Sequence, residues 1–161
     1  MNTRRKYLTL LSLIVLGLGW MPRGEAQAGC VPRQGLTIGD WNLPPDGVGS
    51  SGFIDGVVLQ NGAGVYRFRA TLSEVGSPCL SCREGGIVGT LDDGVGAPDD
   101  YVVFGSWAGS FFDGTGSWHA TIFLPLGPAL IPVGRMKGVF DDALSFPDQV
   151  GTYIGRWTIC D

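Results

Sequence analysis

Uninterrupted runs are what this sequence lacks. Beyond the opening segment, its many glycines and prolines (27 and 10 in the whole chain) leave one stretch of ten or more residues free of both, 65–75, which leaves little room for helices. The longest apolar run, from Leu8 to Leu18, falls short of the about 20 residues a membrane-crossing helix needs. No Gly-x-Ser-x-Gly nucleophile elbow is present, and no acidic stretch has the spacing of an EF-hand loop. Charged residues make up only 16 %, and there is a single histidine. The chain has four cysteines, but only one close pair, whereas a four-cysteine zinc site normally uses two.

The opening residues, MNTRRKYLTLLSLIVLGLGWMPRGEAQAGC, combine a cationic head, an apolar run and the small-x-small pattern Ala26-Gln27-Ala28. These are the three regions of a cleavable signal peptide. We therefore expect residues 1–28 to be removed and 29–161 to form one mature domain, secreted or periplasmic. Thr3-Arg4-Arg5-Lys6-Tyr7-Leu8 resembles a twin-arginine export signal. Gln27-Ala28-Gly29-Cys30 has the outline of a lipoprotein cleavage site, but with Gln where Leu is usual. The mature part carries seven Lys and Arg against fourteen Asp and Glu, a net charge of −7. A domain this acidic is repelled by phosphate backbones, so nucleic acid is not an expected partner.

All four cysteines, Cys30, Cys79, Cys82 and Cys160, lie in the exported part, where an even count favours disulfides. Zinc binding and a redox role for Cys79-Leu80-Ser81-Cys82 are the alternatives. The redox role needs a helix N-terminus, while Pro78 and Gly85-Gly86 read as a loop. Positions i and i+3 of a turn come within disulfide reach, so Cys79–Cys82 can close locally. Domain termini tend to lie close together, which favours Cys30–Cys160 as the second bridge.

What fills the rest of the chain is alternation. Tyr66, Phe68, Ala70 and Leu72 alternate with Arg67, Arg69 and Thr71. Trp118, Ala120, Ile122 and Leu124 alternate with Ser117, His119, Thr121 and Phe123. Tyr153, Trp157 and Ile159 oppose Thr152, Arg156 and Thr158. Further strands are expected at 36–42, 53–60, 87–91, 101–110 and 134–140. About eight strands with short turns, such as Phe112-Asp113-Gly114-Thr115-Gly116, predict an all-β antiparallel meander, closed as a barrel or packed as a two-sheet sandwich. Gly105-Ser106-Trp107 recurs as Gly116-Ser117-Trp118. Glycine beside an aromatic marks a bend, or a place where a ring covers bare backbone.

Several groups of residues are candidates for function. Asp92, Asp93, Asp99 and Asp100 can ligate calcium, the one cofactor weighed, or serve as turn residues. The tryptophans and tyrosines can stack on sugars or fill a core. His119 lies on the polar face of its strand, with solvation the default and catalysis or metal binding the alternative. The segment Leu124–Val133 holds three prolines, reads as a loop rather than a central strand, and must cover a barrel end or present a contact patch. Arg67, Arg69, Arg135, Lys137 and Arg156 project from polar strand faces. If their strands are neighbours, they form a basic patch for an anionic ligand. The leading expectation is a non-catalytic exported domain, structural or binding a glycan or small anion. The alternative is a glycan hydrolase using two of Asp92, Asp93, Asp99, Asp100, Asp141 and Asp142, which requires them to face one another across a cleft.

Overall fold

A computed structural model describes residues 30–43, 51–75, 82–95, 100–110, 115–141 and 149–160. The expected signal peptide, Cys79, Asp99 and Asp142 lie outside the described residues, as do the turn positions 111–114. Eight strands follow one another: β1 (Arg33–Leu43), β2 (Ser51–Gln60), β3 (Ala63–Val75), β4 (Cys82–Asp92), β5 (Tyr101–Ser110), β6 (Thr115–Leu126), β7 (Ala129–Asp141) and β8 (Gln149–Ile159). Each pairs antiparallel with the next, and β8 returns to β1, closing a barrel. Closure leaves no strand edge along the body of the sheet. Among the described residues no helix is long and apolar enough to cross a membrane.

Alternation decides what lies inside. Phe68, Ala70 and Leu72 of β3, Trp118, Ala120 and Ile122 of β6, and Tyr153, Trp157 and Ile159 of β8 are all buried, with the intervening residues turned outward. Register then explains the glycines. The four barrel tryptophans stand directly across from glycines: Trp157 from Gly35 and Trp41 from Gly151, Trp107 from Gly85, and Trp118 from Gly138. Tyr153 faces Gly39 in the same way. Each ring lies over a backbone without a side chain, so bulky aromatics fill a narrow barrel without crowding it. The indole N–H groups of Trp157 and Trp107 donate to the carbonyls of Leu59 (3.0 Å) and Ser73 (3.2 Å). Those of Trp41 and Trp118 have no acceptor among the described residues.

Two expectations from the sequence change. Gly85-Gly86 is not loop but strand, because β4 begins at Cys82. The proline-rich segment 124–133 is not a loop either, but the far end of the β6–β7 hairpin. Its register shifts at Ile122/Phe123, and Pro125 then pairs with Leu130 and Phe123 with Pro132. Gly127 turns the chain with φ 59°, the first central position of a II′ turn. The β5 ladder stops at Phe123 and the β8 ladder at Gly134. Beyond them the hairpin runs on as a two-stranded ribbon, tied to β8 by the Cys160 N–H donating to Val133 O at 2.7 Å. Prolines are tolerated there because no third strand needs their missing N–H.

Cys30 and Cys160 form a disulfide, as the proximity of domain ends suggests. Cys82 is disulfide-bonded as well, and the turn it was expected to close with Cys79 lies outside the described residues.

The buried Tyr153 hydroxyl shares a 3.2 Å hydrogen bond with Thr37 Oγ1, and burial pushes its pKa up to about 12. An unfolded tyrosine ionises near about pH 10. The phenol's contribution is therefore complete below about pH 10 and is lost as pH rises toward 12. The loss is about 2–3 kcal/mol. Denaturant unfolding at pH 9 and pH 11.5 should show a smaller alkaline loss for Tyr153→Phe than for the wild type. An identical loss in both proteins would contradict this.

Candidate functional site

The barrel has two rims. One carries Arg33, the β2–β3 turn, the β4–β5 loop and the β6–β7 ribbon. There Arg33 donates to the hydroxyls of Tyr66 (2.9 Å) and Tyr101 (3.1 Å), and the Tyr66 ring meets Tyr101 edge-on at 5.6 Å. At the other rim Phe140 packs between Trp41 (5.1 Å) and Trp107 (6.2 Å). Beside them lies an ion pair inside the barrel. The Arg83 guanidinium donates from Nε to Glu74 Oε1 at 2.8 Å and from its second nitrogen to Glu74 Oε2. Both side chains are only 8 % exposed.

The acidic candidates are occupied locally. Asp92 and Asp93 accept hydrogen bonds from the backbone amides of Gly94 and Val95, each at 2.7 Å, and Asp100 accepts from the amide of Asp93 at 2.8 Å. This is turn chemistry, in which a short carboxylate bonds to the backbone two residues on. No group of three or more His, Cys, Asp or Glu is placed to hold a metal among the described residues. Asp141 ends β7 at the opposite rim from Asp92, Asp93 and Asp100, so it cannot face them across a cleft.

The five candidate cations do not share a face. Arg67 and Arg69 lie on β3 and Arg135 and Lys137 on β7, with three strands between them in either direction around the barrel. Arg67 is engaged: its Nε and a terminal nitrogen donate to the two carboxylate oxygens of Asp55 at 3.0 and 2.6 Å. That fork holds the Asp55 carboxyl below its ordinary range.

The remaining three cations do come together. Lys137 stands directly across from Arg156, and His119 of β6 stands across from Lys137 on its other side. Arg135, two residues from Lys137, projects from the same face beside Thr121 and Thr158. Among the described residues, Arg135, Lys137 and Arg156 have no carboxylate partner. The row continues onto β5, where Ser106 Oγ and His119 Nε2 are hydrogen-bonded at 3.1 Å. Both line a surface recess of about 320 Å³ with Glu84, Trp107 and Ser117. Strands β5, β6 and β8 contain no Asp or Glu, and β7 has only its last residue, Asp141. Every strand from β1 to β4 has at least one. In an acidic chain, the strands of one half thus carry three cations, Arg135, Lys137 and Arg156, against a single carboxylate. The rings expected either to stack on sugars or to fill the core do the latter at Trp41, Trp107, Trp118, Trp157, Tyr101 and Tyr153, which are buried.

The chain matches no protein family, no curated protein and no solved structure with which it was compared.

Proposed function

We propose that this is an exported, non-catalytic barrel that binds oxyanion groups through Arg135, Lys137 and Arg156, with His119 at the edge of the site. One observation carries the reading: Lys137 and Arg156 face each other on adjacent strands with no carboxylate between them. Directly opposed side chains have Cβ atoms about 4.5–5.5 Å apart, and like charges at that distance repel. A third cation, Arg135, adds to the repulsion. A chain with twice as many acids as bases in its mature part has carboxylates to place there, and among the described residues none pairs with these cations. A sulfate, phosphate or carboxylate group would neutralise the cluster, and the arginines would offer it two-pronged hydrogen bonds. The hydroxyls of Thr121, Thr158 and Ser106 border the same surface and suit the polar remainder of an acidic glycan. Export is supported by the signal-like opening residues together with the disulfides.

The test is calorimetric titration of the purified mature protein with heparin at low and physiological salt. Wild type should bind, with affinity falling as salt rises. Lys137→Ala/Arg156→Ala should weaken binding by at least about tenfold, whereas Arg67→Ala, whose cation is already paired, should bind like wild type. Because the double variant relieves repulsion, it should melt no lower than wild type. Unchanged affinity in the double variant would refute the proposal.

A further inference from the structure

The ribbon beyond the barrel has no polar side chain. Its ten residues, Leu124-Pro125-Leu126-Gly127-Pro128-Ala129-Leu130-Ile131-Pro132-Val133, are apolar throughout. Leu124 and Val133, at its base, pack against the core. Leu126, Leu130 and Ile131, toward its tip, are 53 %, 45 % and 43 % exposed. Pro125 and Pro132 remove one donor from each strand, so the ribbon is poorly suited to adding a further strand. What it offers a partner is apolar side chains.

Its position relative to the cations indicates what kind of partner. Descending from the tip, the outer face presents Phe123 against Phe104, rings 5.7 Å apart. Next comes Arg135 beside Thr121, then the His119–Lys137–Arg156 row. Among the described residues, the carboxylates carried on strands lie on β1 to β4, apart from Asp141 at the far rim. An uncharged apolar tip, an aromatic shoulder and, behind them, cations with no carboxylate partner among the described residues match the layering of a membrane interface. Apolar groups enter the headgroup–acyl boundary there, while guanidinium and ammonium groups stay among anionic headgroups. We infer that the β5–β8 half of the barrel docks on an anionic lipid surface, with Leu126, Leu130 and Ile131 inserted and Arg135, Lys137 and Arg156 on lipid phosphates. This rests on the oxyanion reading and names the surface that presents the anions. It is peripheral attachment, not spanning. Charged side chains on the outer strand faces would be costly against lipid tails in a membrane barrel.

Vesicle flotation separates the two claims. The mature protein should float with phosphatidylcholine vesicles containing roughly one third phosphatidylglycerol, and at least about tenfold less with phosphatidylcholine alone. Leu126→Ser/Leu130→Ser/Ile131→Ser should lose flotation by about tenfold or more while keeping its heparin affinity, which also shows that the barrel is folded. Lys137→Ala/Arg156→Ala should lose both. A tryptophan placed by Leu130→Trp should shift its emission to the blue on anionic vesicles. Heparin binding without flotation would overturn the membrane inference and leave the oxyanion reading standing, whereas failure of both would overturn both. Equal flotation with the two vesicle types, or a ribbon variant that floats like wild type, would also overturn the inference.

Discussion

Gly35→Ala and Gly85→Ala should each lower the unfolding free energy by about 2–6 kcal/mol, a large fraction of the about 5–15 kcal/mol that holds an ordinary domain folded. A Cβ at Gly35 would lie 1.8 Å from the carbonyl oxygen of Leu59 and 2.8 Å from the Trp157 indole nitrogen. At Gly85 the corresponding contacts are 1.7 Å to Ser73 O and 2.6 Å to Trp107 Nε1. Both obstructing oxygens are backbone atoms held in the β ladder, so they cannot swing aside as a flexible side chain would. The new methyl also crowds the indole nitrogen and its acceptor oxygen at once, and the displacement it forces breaks the Trp157–Leu59 or Trp107–Ser73 hydrogen bond. Overpacking alone costs about 1–3 kcal/mol, and stranding a buried donor and acceptor costs about 1–3 more. Gly64→Ala is the control. Its Cβ would meet nothing within 4 Å, and the change should be neutral or stabilising by up to about 1 kcal/mol. Urea unfolding of the three variants decides the matter. Gly85→Ala unfolding at the same urea concentration as Gly64→Ala would disprove the account.

The same glycines show where sequence reading stops. Alternation in Val65–Leu72, Ser117–Leu124 and Gly151–Cys160 places large apolar residues on one side and Arg, His or Thr on the other, and the barrel follows those faces. The proximity of glycine and aromatics is visible too, as in Gly105-Ser106-Trp107. Which glycine a ring covers is not visible. Trp107 lies across from Gly85, in another strand, and that relation exists only once register is fixed. Closure and ring order are likewise long-range properties. Arg67 and Arg135 look equivalent along the chain, yet stand on opposite sides of the barrel, while Lys137 and Arg156, 19 positions apart, become direct neighbours. Asparagine and glycine at 61–62, with φ of 53° and 82°, make the β2–β3 turn the most local feature of the fold. The prolines of the ribbon mislead for a physical reason. The rule against proline in a central strand assumes neighbours on both sides, and beyond Phe123 and Gly134 there are none.

The buried ion pair was legible by one further step of the period that places Phe68, Ala70 and Leu72 inside, since Glu74 is next on that face and Arg83 shares the parity of Ile87 in β4. Breaking it should destabilise the barrel as severely as the glycine substitutions. Glu74→Leu or Arg83→Met alone removes one charge and leaves the other 8 % exposed without the partner that holds it in a two-pronged hydrogen bond. Removing one member of such a pair costs about 3–5 kcal/mol. Replacing both is a different experiment. The attraction between the charges is largely offset by the cost of taking them out of water, so an apolar pair of similar volume is often neutral or stabilising. Glu74→Leu/Arg83→Met should therefore regain most of what either single change loses, with a coupling energy of at least about 2 kcal/mol in the double-mutant cycle. Phe140, Trp41 and Trp107 line the same rim, and the added Leu and Met side chains would extend that apolar cluster. Additive losses would mean that Glu74 and Arg83 act independently, and that the pair does not close this end of the barrel as a unit.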